Sequence, residues 1–156
     1  AVAQGDDVEA RTHMAFANTL SGYAMVLGGC TSEHSLEHAM RAYHEALPHG
    51  AGLIMLSLAY FGWMADHHVC DDRLVDLARF LGRKDASRPE EFLEALASLQ
   101  KACGVDGLKM SEYGITPEEF PKMAENATPA MKGLFLNDRM ALTREDCVAV
   151  YQKAYR

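Results

Sequence analysis

Four histidines within sixteen residues form the densest group of chemically active side chains in this sequence. They are His34, His38, His44 and His49. His34 and His38 are four positions apart, so on a helix both rings lie on one face, as ligands or proton carriers of one centre must. His49 stands between a proline and a glycine, where a helix is expected to begin. The pattern predicts a metal site built on imidazoles, because histidine nitrogen binds zinc, iron and similar metals.

The other histidines carry no chemical prediction. His44 lies six positions beyond His38, which points it away from the shared face. The pair His67 and His68 is expected at a helix end, where a positive charge is favourable without any ligand. His13 is interpreted as an ordinary surface or core residue.

A named motif competes with the metal-site interpretation. Residues 34–38 match the His-x-x-Glu-His pattern of inverted zinc proteases, in which the histidines bind zinc and the glutamate acts as a base. Such a site needs a carboxylate ligand downstream, and the candidates are Glu112, Glu118 and Glu119. The last two are expected in the first turn of a helix, and no strand is predicted that could hold an extended peptide. The protease stays an alternative, as does a non-catalytic helical interaction domain in which the histidines are incidental.

Helices are the elements that must position these side chains. A first helix, begun by Asp6 and Glu9, is apolar on nearly all sides to about Val26, which favours a central place in the fold. A second is predicted over about 31–44 and a third over about 49–66, each with a start signal. A fourth carries an apolar stripe at helical spacing from Leu74 to Leu81.

Capping boxes predict the starts of three later helices, at Ser87–Glu90, Thr116–Glu119 and Thr143–Asp146. No segment shows sustained apolar–polar alternation with β-branched residues, so no strand is predicted. The sequence therefore predicts one all-α, bundle-like domain of about seven helices that covers residues 1–156.

Composition narrows the classes of function. A chain of 156 residues with 49% hydrophobic and 24% charged residues is typical of one globular domain. The net charge is −7, and residues 1–78 hold ten acids, only three bases and all seven histidines. Such an acidic field attracts cations and repels phosphate backbones, so we expect no nucleic-acid partner.

Membrane and secretory classes are not expected either. The longest uncharged apolar stretch, residues 51–65, has 15 residues, whereas a bilayer span needs about 20, so we interpret it as a buried core helix. The spacing of the four cysteines favours reduced thiols in a cytoplasmic protein, and no secretory signal opens the sequence. The sequence starts without methionine, which we interpret as a domain cut from a longer protein.

Four segments together resemble the iron-containing (group III) alcohol dehydrogenases. Residues 34–55 (HSLEHAMRAYHEALPHGAGLIM) resemble the metal-binding signature of that family. Residues 9–17 (EARTHMAFA) resemble the family's helix before that signature. Residues 108–119 (LKMSEYGITPEE) resemble a later loop and the start of the helix that follows it, and residues 137–146 (NDRMALTRED) resemble the family's C-terminal segment. The segments occur in the family's order and cover nearly the whole chain.

The resemblance implies the C-terminal, all-helical domain of a dehydroquinate synthase-like fold, which binds Fe²⁺ or, in some members, zinc. It implies that His34 and His49 are metal ligands. His38 matches a cleft histidine near nicotinamide and substrate, with an implied part in proton relay. In the intact enzymes an N-terminal α/β domain binds NAD(P), and an alcohol is oxidised, or an aldehyde or ketone reduced, by hydride transfer.

The sequence also departs from the family pattern. No Asp-x-x-x-His precedes His34, so the chain would hold two of the family's four protein ligands, and we assign it no cofactor-binding residue. We expect the isolated chain to be inactive and to bind metal weakly. The implied partners are a small alcohol or aldehyde and the missing nucleotide-binding domain, and a homo-oligomer is left open. Glu33, Glu37 or a backbone carbonyl could fix the ring tautomers, and the sequence does not choose among them.

Overall fold

The structure is a computed structural model that describes residues 1–130 and 132–156, with side chains described up to 128 and from 132 onward. It divides into two compact units, Ala1–Cys30 and Thr31–Arg156. Within these described residues there are eight α-helices, two short 3₁₀ helices and no strand. The all-α prediction is confirmed. The number of α-helices exceeds the predicted seven by one, because the sequence analysis did not predict the four-residue helix Lys132–Phe135.

The first unit consists of helix α1, Val8–Gly28, and its flanking residues. Asp7 caps the start of the helix by accepting a hydrogen bond from the Ala10 N–H at 2.9 Å. Within its own unit α1 contains no buried residue, and its Phe16 is 63% exposed, so the central place of this helix stays a prediction. A helix that is apolar on every side needs neighbours on every side, and this unit has one helix only.

The second unit carries the remaining helices. They are α2 (Ser32–Tyr43), α3 (His49–Asp66), α4 (Asp71–Phe80), α5 (Glu90–Ala102), α6 (Phe120–Ala130), α7 (Lys132–Phe135) and α8 (Arg144–Ala154), with 3₁₀ helices at Met110–Tyr113 and Pro117–Glu119. Helix α3 packs against α2, α5 and α8, while α6 packs against α2 and α8. No described helix is both long enough and apolar enough to cross a bilayer.

Helix α3 is the core helix that the apolar stretch 51–65 predicted. Leu56 and Tyr60 on this helix are completely buried, as are Leu36 and Met40 on the facing side of α2. Complete burial of a side chain of this size contributes about 1.5–3 kcal/mol. The contact of α2 with α3 is therefore held by apolar burial along its length.

Two of the three predicted capping boxes are present. Thr116 with Glu119 and Thr143 with Asp146 bond reciprocally, as predicted. The prediction of a capping box at Ser87–Glu90 is wrong, because Pro89 takes the N-cap position and α5 begins only at Glu90. Glu91 instead accepts hydrogen bonds from the N–H groups of Ser87 and Arg88, at 2.8 and 2.9 Å.

Asp138 connects the segment before α8 to the start of α2. Its Oδ1 accepts hydrogen bonds from the Tyr60 hydroxyl at 2.7 Å and from the Ser32 N–H at 3.2 Å. Thr31 is the N-cap residue of α2 but makes no side-chain cap. Asp138 therefore satisfies an N–H of the first turn of α2 from more than a hundred residues away, and so anchors the helix that carries His34.

Asp138→Ala is expected to lower the free energy of unfolding by about 1–3 kcal/mol, because it leaves buried donors without an acceptor. Denaturant unfolding followed by circular dichroism measures this change, with Asp85→Ala at an exposed position as the matched control. Equal unfolding midpoints for the two variants would contradict the anchoring role.

Candidate metal centre

The rings of His34, His38 and His49 converge at the junction of α2 and α3. Their centroids are 6.3 Å apart for His34 and His38, 5.2 Å for His34 and His49, and 5.4 Å for His38 and His49. One potential ligand atom from each residue lies within 4.8 Å of the other two. Of the residues that the structure describes, only these three form such a group.

Helix α2 is fixed so that its histidines face away from the core. Ser35 Oγ donates a hydrogen bond to the Ala127 carbonyl at 2.7 Å, and the Tyr151 hydroxyl donates one to the Leu36 carbonyl at 2.7 Å. Ser35, Leu36 and Tyr151 are all completely buried. These contacts set the rotation of α2 about its axis, and they leave the i, i+4 pair His34 and His38 on the opposite side.

His49 is positioned by the start of α3. Pro48 is the N-cap residue and His49 the first residue of the helix, so the fixed φ of proline directs the backbone immediately before the ring. Leu47 is completely buried and anchors the preceding turn, where its N–H donates to the His44 carbonyl at 3.0 Å. A Cβ at Gly50 would meet nothing within 4 Å, which leaves the space beside His49 open.

The three rings are half-buried and accessible from one side. The side chains of His38 and His49 are 41% and 40% exposed. Burial lowers the pKa of His34 below its ordinary value, and positive charge on His49 or His38 lowers it further. A lowered pKa keeps His34 neutral, which is the state in which an imidazole nitrogen can bind a metal.

Glu37 lies beneath the rings and is completely buried. Its Oε2 is in direct contact with Nδ1 of His49 and lies 3.9 Å from Nε2 of His38. Its Oε1 has no hydrogen-bond partner among the described residues. Among the described residues, Glu37 is the one of the acceptors left open by the sequence that contacts a ring of this cluster. The sequence could not single it out, because the contact joins two helices across a turn.

Gly52 on α3 makes room for the Glu37 side chain. A Cβ at this position would lie 2.7 Å from Cγ of Glu37 and 2.9 Å from its Oε1. Such distances are shorter than van der Waals contact allows, so a side chain larger than hydrogen would displace the carboxylate. Glycine at position 52 therefore allows the backbone of α3 to lie directly against Glu37.

Glu33 is a second acid on α2 and directly precedes His34 in the chain. Burial raises its pKa to about 7, and a hydrogen bond with Ser57 partly opposes that shift. Its Oε1 has no hydrogen-bond partner among the described residues. Glu33 therefore interacts with α3 through Ser57, whereas Glu37 does so through His49.

Glu33→Gln is expected to flatten the pH dependence of stability. The folded chain binds this proton more tightly than the unfolded chain, whose carboxyl has its ordinary pKa of 4.5. The free energy of unfolding should therefore fall as the pH rises from 4.5 toward about 7. Relative to the variant, the wild type should lose up to about 3 kcal/mol over that range.

Urea unfolding at several pH values tests this expectation, with Glu45→Gln at an exposed position as the control. If the free energy of unfolding changes with pH in parallel for the wild type and Glu33→Gln, deprotonation of Glu33 does not destabilise the folded chain.

The acids required by the protease alternative lie elsewhere. Glu119 contacts His44, with its two oxygens 3.1 and 3.2 Å from Nε2. Glu112 lies 3.8 Å from Lys109, and Glu118 is exposed. Within the described residues the candidate group of His34, His38 and His49 contains none of these carboxylates, so nothing supports a His-x-x-Glu-His protease.

His67 and His68 are engaged in local contacts. His67 stacks on Trp63 with ring centroids 4.3 Å apart, and its Nδ1 lies 2.8 Å from the Trp63 carbonyl oxygen. Nδ1 of His68 lies 3.0 Å from Oδ2 of Asp71. Neither residue belongs to the cluster formed by His34, His38 and His49.

The family to which the chain belongs is established by its match to a family model. Residues 1–155 match the model described as "Fe-containing alcohol dehydrogenase family, C-terminal". The chain therefore belongs to the Fe-containing alcohol dehydrogenases and corresponds to their C-terminal domain.

Individual relatives agree with this assignment. The chain is 28% identical over 151 residues to alcohol dehydrogenase 4 of Saccharomyces cerevisiae, covering 97% of this chain and 38% of the yeast protein. It is 30% identical over 134 residues to an NAD-dependent methanol dehydrogenase of Bacillus methanolicus, covering 81% of this chain and 34% of that protein. The chain thus spans little more than a third of these relatives.

Solved structures show the same fold. The alcohol dehydrogenase ADH/D1, an archaeal halo-thermophilic protein from a Red Sea brine pool, superposes with a TM-score of 0.85 at 24% identity. The match covers 96% of this chain and 39% of that one. It confirms the expected all-helical fold of the C-terminal domain.

Proposed function

We propose that this chain forms the metal-binding part of the active site of an NAD(P)-dependent alcohol dehydrogenase. The observation that carries the proposal is the convergence of three imidazoles from two helices to within 4.8 Å. The reaction is oxidation of an alcohol, or reduction of an aldehyde or ketone, by hydride transfer. One relative is a methanol dehydrogenase, so a small alcohol or aldehyde is the substrate class we propose.

The three imidazoles fit a divalent transition metal. Two ligands about 2.1 Å from one ion at a tetrahedral angle are about 3.4 Å apart. Ligand atoms within 4.8 Å of one another reach that separation by small side-chain rotations. We propose His34 and His49 as the ligands of Fe²⁺, with zinc as the alternative ion, because imidazole suits both. When bound, the metal supplies a Lewis acid that polarises the substrate oxygen.

His38 is proposed as the catalytic residue that moves the hydroxyl proton. Its ring lies beside those of both proposed ligands, and its side chain is 41% exposed. An imidazole accepts a proton at one nitrogen and releases one from the other near neutral pH. From this position His38 can take the proton of the alcohol and pass it to solvent.

The rest of the active site is proposed to come from residues outside this chain. The chain spans 38% of the yeast relative and 39% of the archaeal one. In the proposal, an N-terminal nucleotide-binding domain supplies the NAD(P) site and the further metal ligands, and the isolated chain is inactive. The cytoplasmic location and a homo-oligomeric state stay predictions.

His34→Ala and His49→Ala should each lower the affinity of the chain for Co²⁺ by about tenfold or more, because each removes one of few ligands. Absorbance titration with Co²⁺ measures this, and His67→Ala, outside the cluster, is the matched control. Equal affinities in all three variants would contradict the proposal and favour the non-catalytic interaction domain.

Addition of a nucleotide-binding domain is expected to restore activity. The chain alone, supplied with Fe²⁺, NAD(P) and a small primary alcohol, should form no NAD(P)H. The same chain fused behind the nucleotide-binding domain of a family member should form it. In the fusion, His38→Ala should lower turnover by about 10²–10⁴-fold with the metal retained. Absence of turnover in a folded, metal-loaded fusion would count against the proposed reaction.

A further inference from the structure

We infer that Glu37 is a positioning residue that orients His49 for metal binding. The inference rests on the proposed metal site and extends it to a residue outside the ligand set. It is carried by one juxtaposition, in which a completely buried carboxylate from α2 contacts Nδ1 of the first residue of α3.

The contact with Glu37 determines which nitrogen of His49 is available. When Glu37 is ionised, its carboxylate can only accept a hydrogen bond, so Nδ1 of His49 then carries the proton and donates it to Oε2 of Glu37. The lone pair of the neutral ring is then on Nε2, the nitrogen on the other side of the ring. A hydrogen bond of this kind fixes both the tautomer and the orientation of a metal-binding histidine, and it makes the ring a stronger ligand.

The burial of Glu37 adds an electrostatic contribution. A carboxylate removed from water is costly unless positive charge compensates for it. Oε2 contacts His49 and lies 3.9 Å from Nε2 of His38, while Oε1 has no hydrogen-bond partner among the described residues. The Glu37 carboxyl group thus faces two rings of the cluster, and a cation held by those rings would offset the cost of burying it in the ionised form.

The position of Glu37 depends on Gly52. A Cβ at position 52 would lie 2.7 Å from Cγ of Glu37, whereas a Cβ at Gly50, two residues earlier on α3, would meet nothing within 4 Å. This difference provides two alanine variants of similar helix propensity, of which only Gly52→Ala displaces the carboxylate. The charge of Glu37 is retained in both.

The first measurement is the tautomer of His49 in the metal-free chain, obtained from long-range ¹H–¹⁵N spectra in mildly alkaline buffer, where imidazoles are neutral. The wild type should show a single form protonated at Nδ1. Glu37→Leu should convert it to the mixture typical of free histidine, and Glu37→Gln, which keeps an acceptor oxygen, should be intermediate. An unchanged His49 spectrum in folded Glu37→Leu would overturn the inference.

The second measurement is the affinity for Co²⁺. Loss of a hydrogen bond to a metal-binding histidine typically costs about 10–100-fold in affinity, and we expect this range for Glu37→Leu and for Gly52→Ala. Gly50→Ala should match the wild type. Affinities of Glu37→Leu and Gly52→Ala within twofold of Gly50→Ala would overturn the inference. If Glu37→Leu fails to fold, the His49 tautomer and the Co²⁺ affinity are both measured on Glu37→Gln and Gly52→Ala instead.

Failure of the proposed function would give a different result. In that case His34→Ala and His49→Ala would leave metal binding unchanged, while the tautomer of His49 would still depend on Glu37. The two readouts therefore separate a positioning role of Glu37 from the identity of the metal ligands.

Discussion

The contact of the buried Glu37 side chain on α2 with the ring of His49 on α3 joins the two helices that carry the three histidines. Glu37 lies on the same helix as His34 and His38, and its Oε2 contacts the ring of His49 on the next helix. One side chain thereby links the two helices at the cluster. Gly52 permits the close approach, because any Cβ there would occupy the space of the Glu37 side chain.

The two sides of α2 have different physical functions. The buried side is fixed by Leu36 and Met40, by the hydrogen bond from Ser35 to α6 and by the one that Tyr151 donates. The other side presents His34 and His38 with partial access to solvent. A metal site needs this combination, because ligands must be held rigidly while one side stays open to substrate. In the proposed enzyme, residues outside this chain would cover the open side.

Local patterns in the sequence predicted most of the helices and the residues that form the cluster. The i, i+4 spacing of His34 and His38 and the helix start at His49 depend only on neighbouring residues, so both could be predicted. The capping boxes at Thr116 and Thr143 are equally local. Contacts between distant residues were not predictable in this way. Glu37 and His49 meet only because of how α2 and α3 cross, and Asp138 reaches α2 from the other end of the chain.

The central place predicted for α1 depends on its neighbours and not on its own sequence alone. The pattern of apolar residues shows which sides of a helix could be buried, but burial depends on neighbours that the pattern does not contain. The unit Ala1–Cys30 contains a single helix, and its Phe16 and Leu27 are 63% and 87% exposed. The box at Ser87 failed for a simpler reason, since Pro89 delays the start of α5.

The central claim is that His34 and His49 bind one metal ion beside His38, and X-ray absorption spectroscopy of the Fe²⁺-loaded chain tests it most directly. We predict at least two imidazole nitrogens about 2.0–2.2 Å from the metal. We also predict that their multiple-scattering signal weakens when His34 and His49 are both replaced by alanine. A coordination shell of oxygen atoms alone, unchanged in the double variant, would contradict the claim.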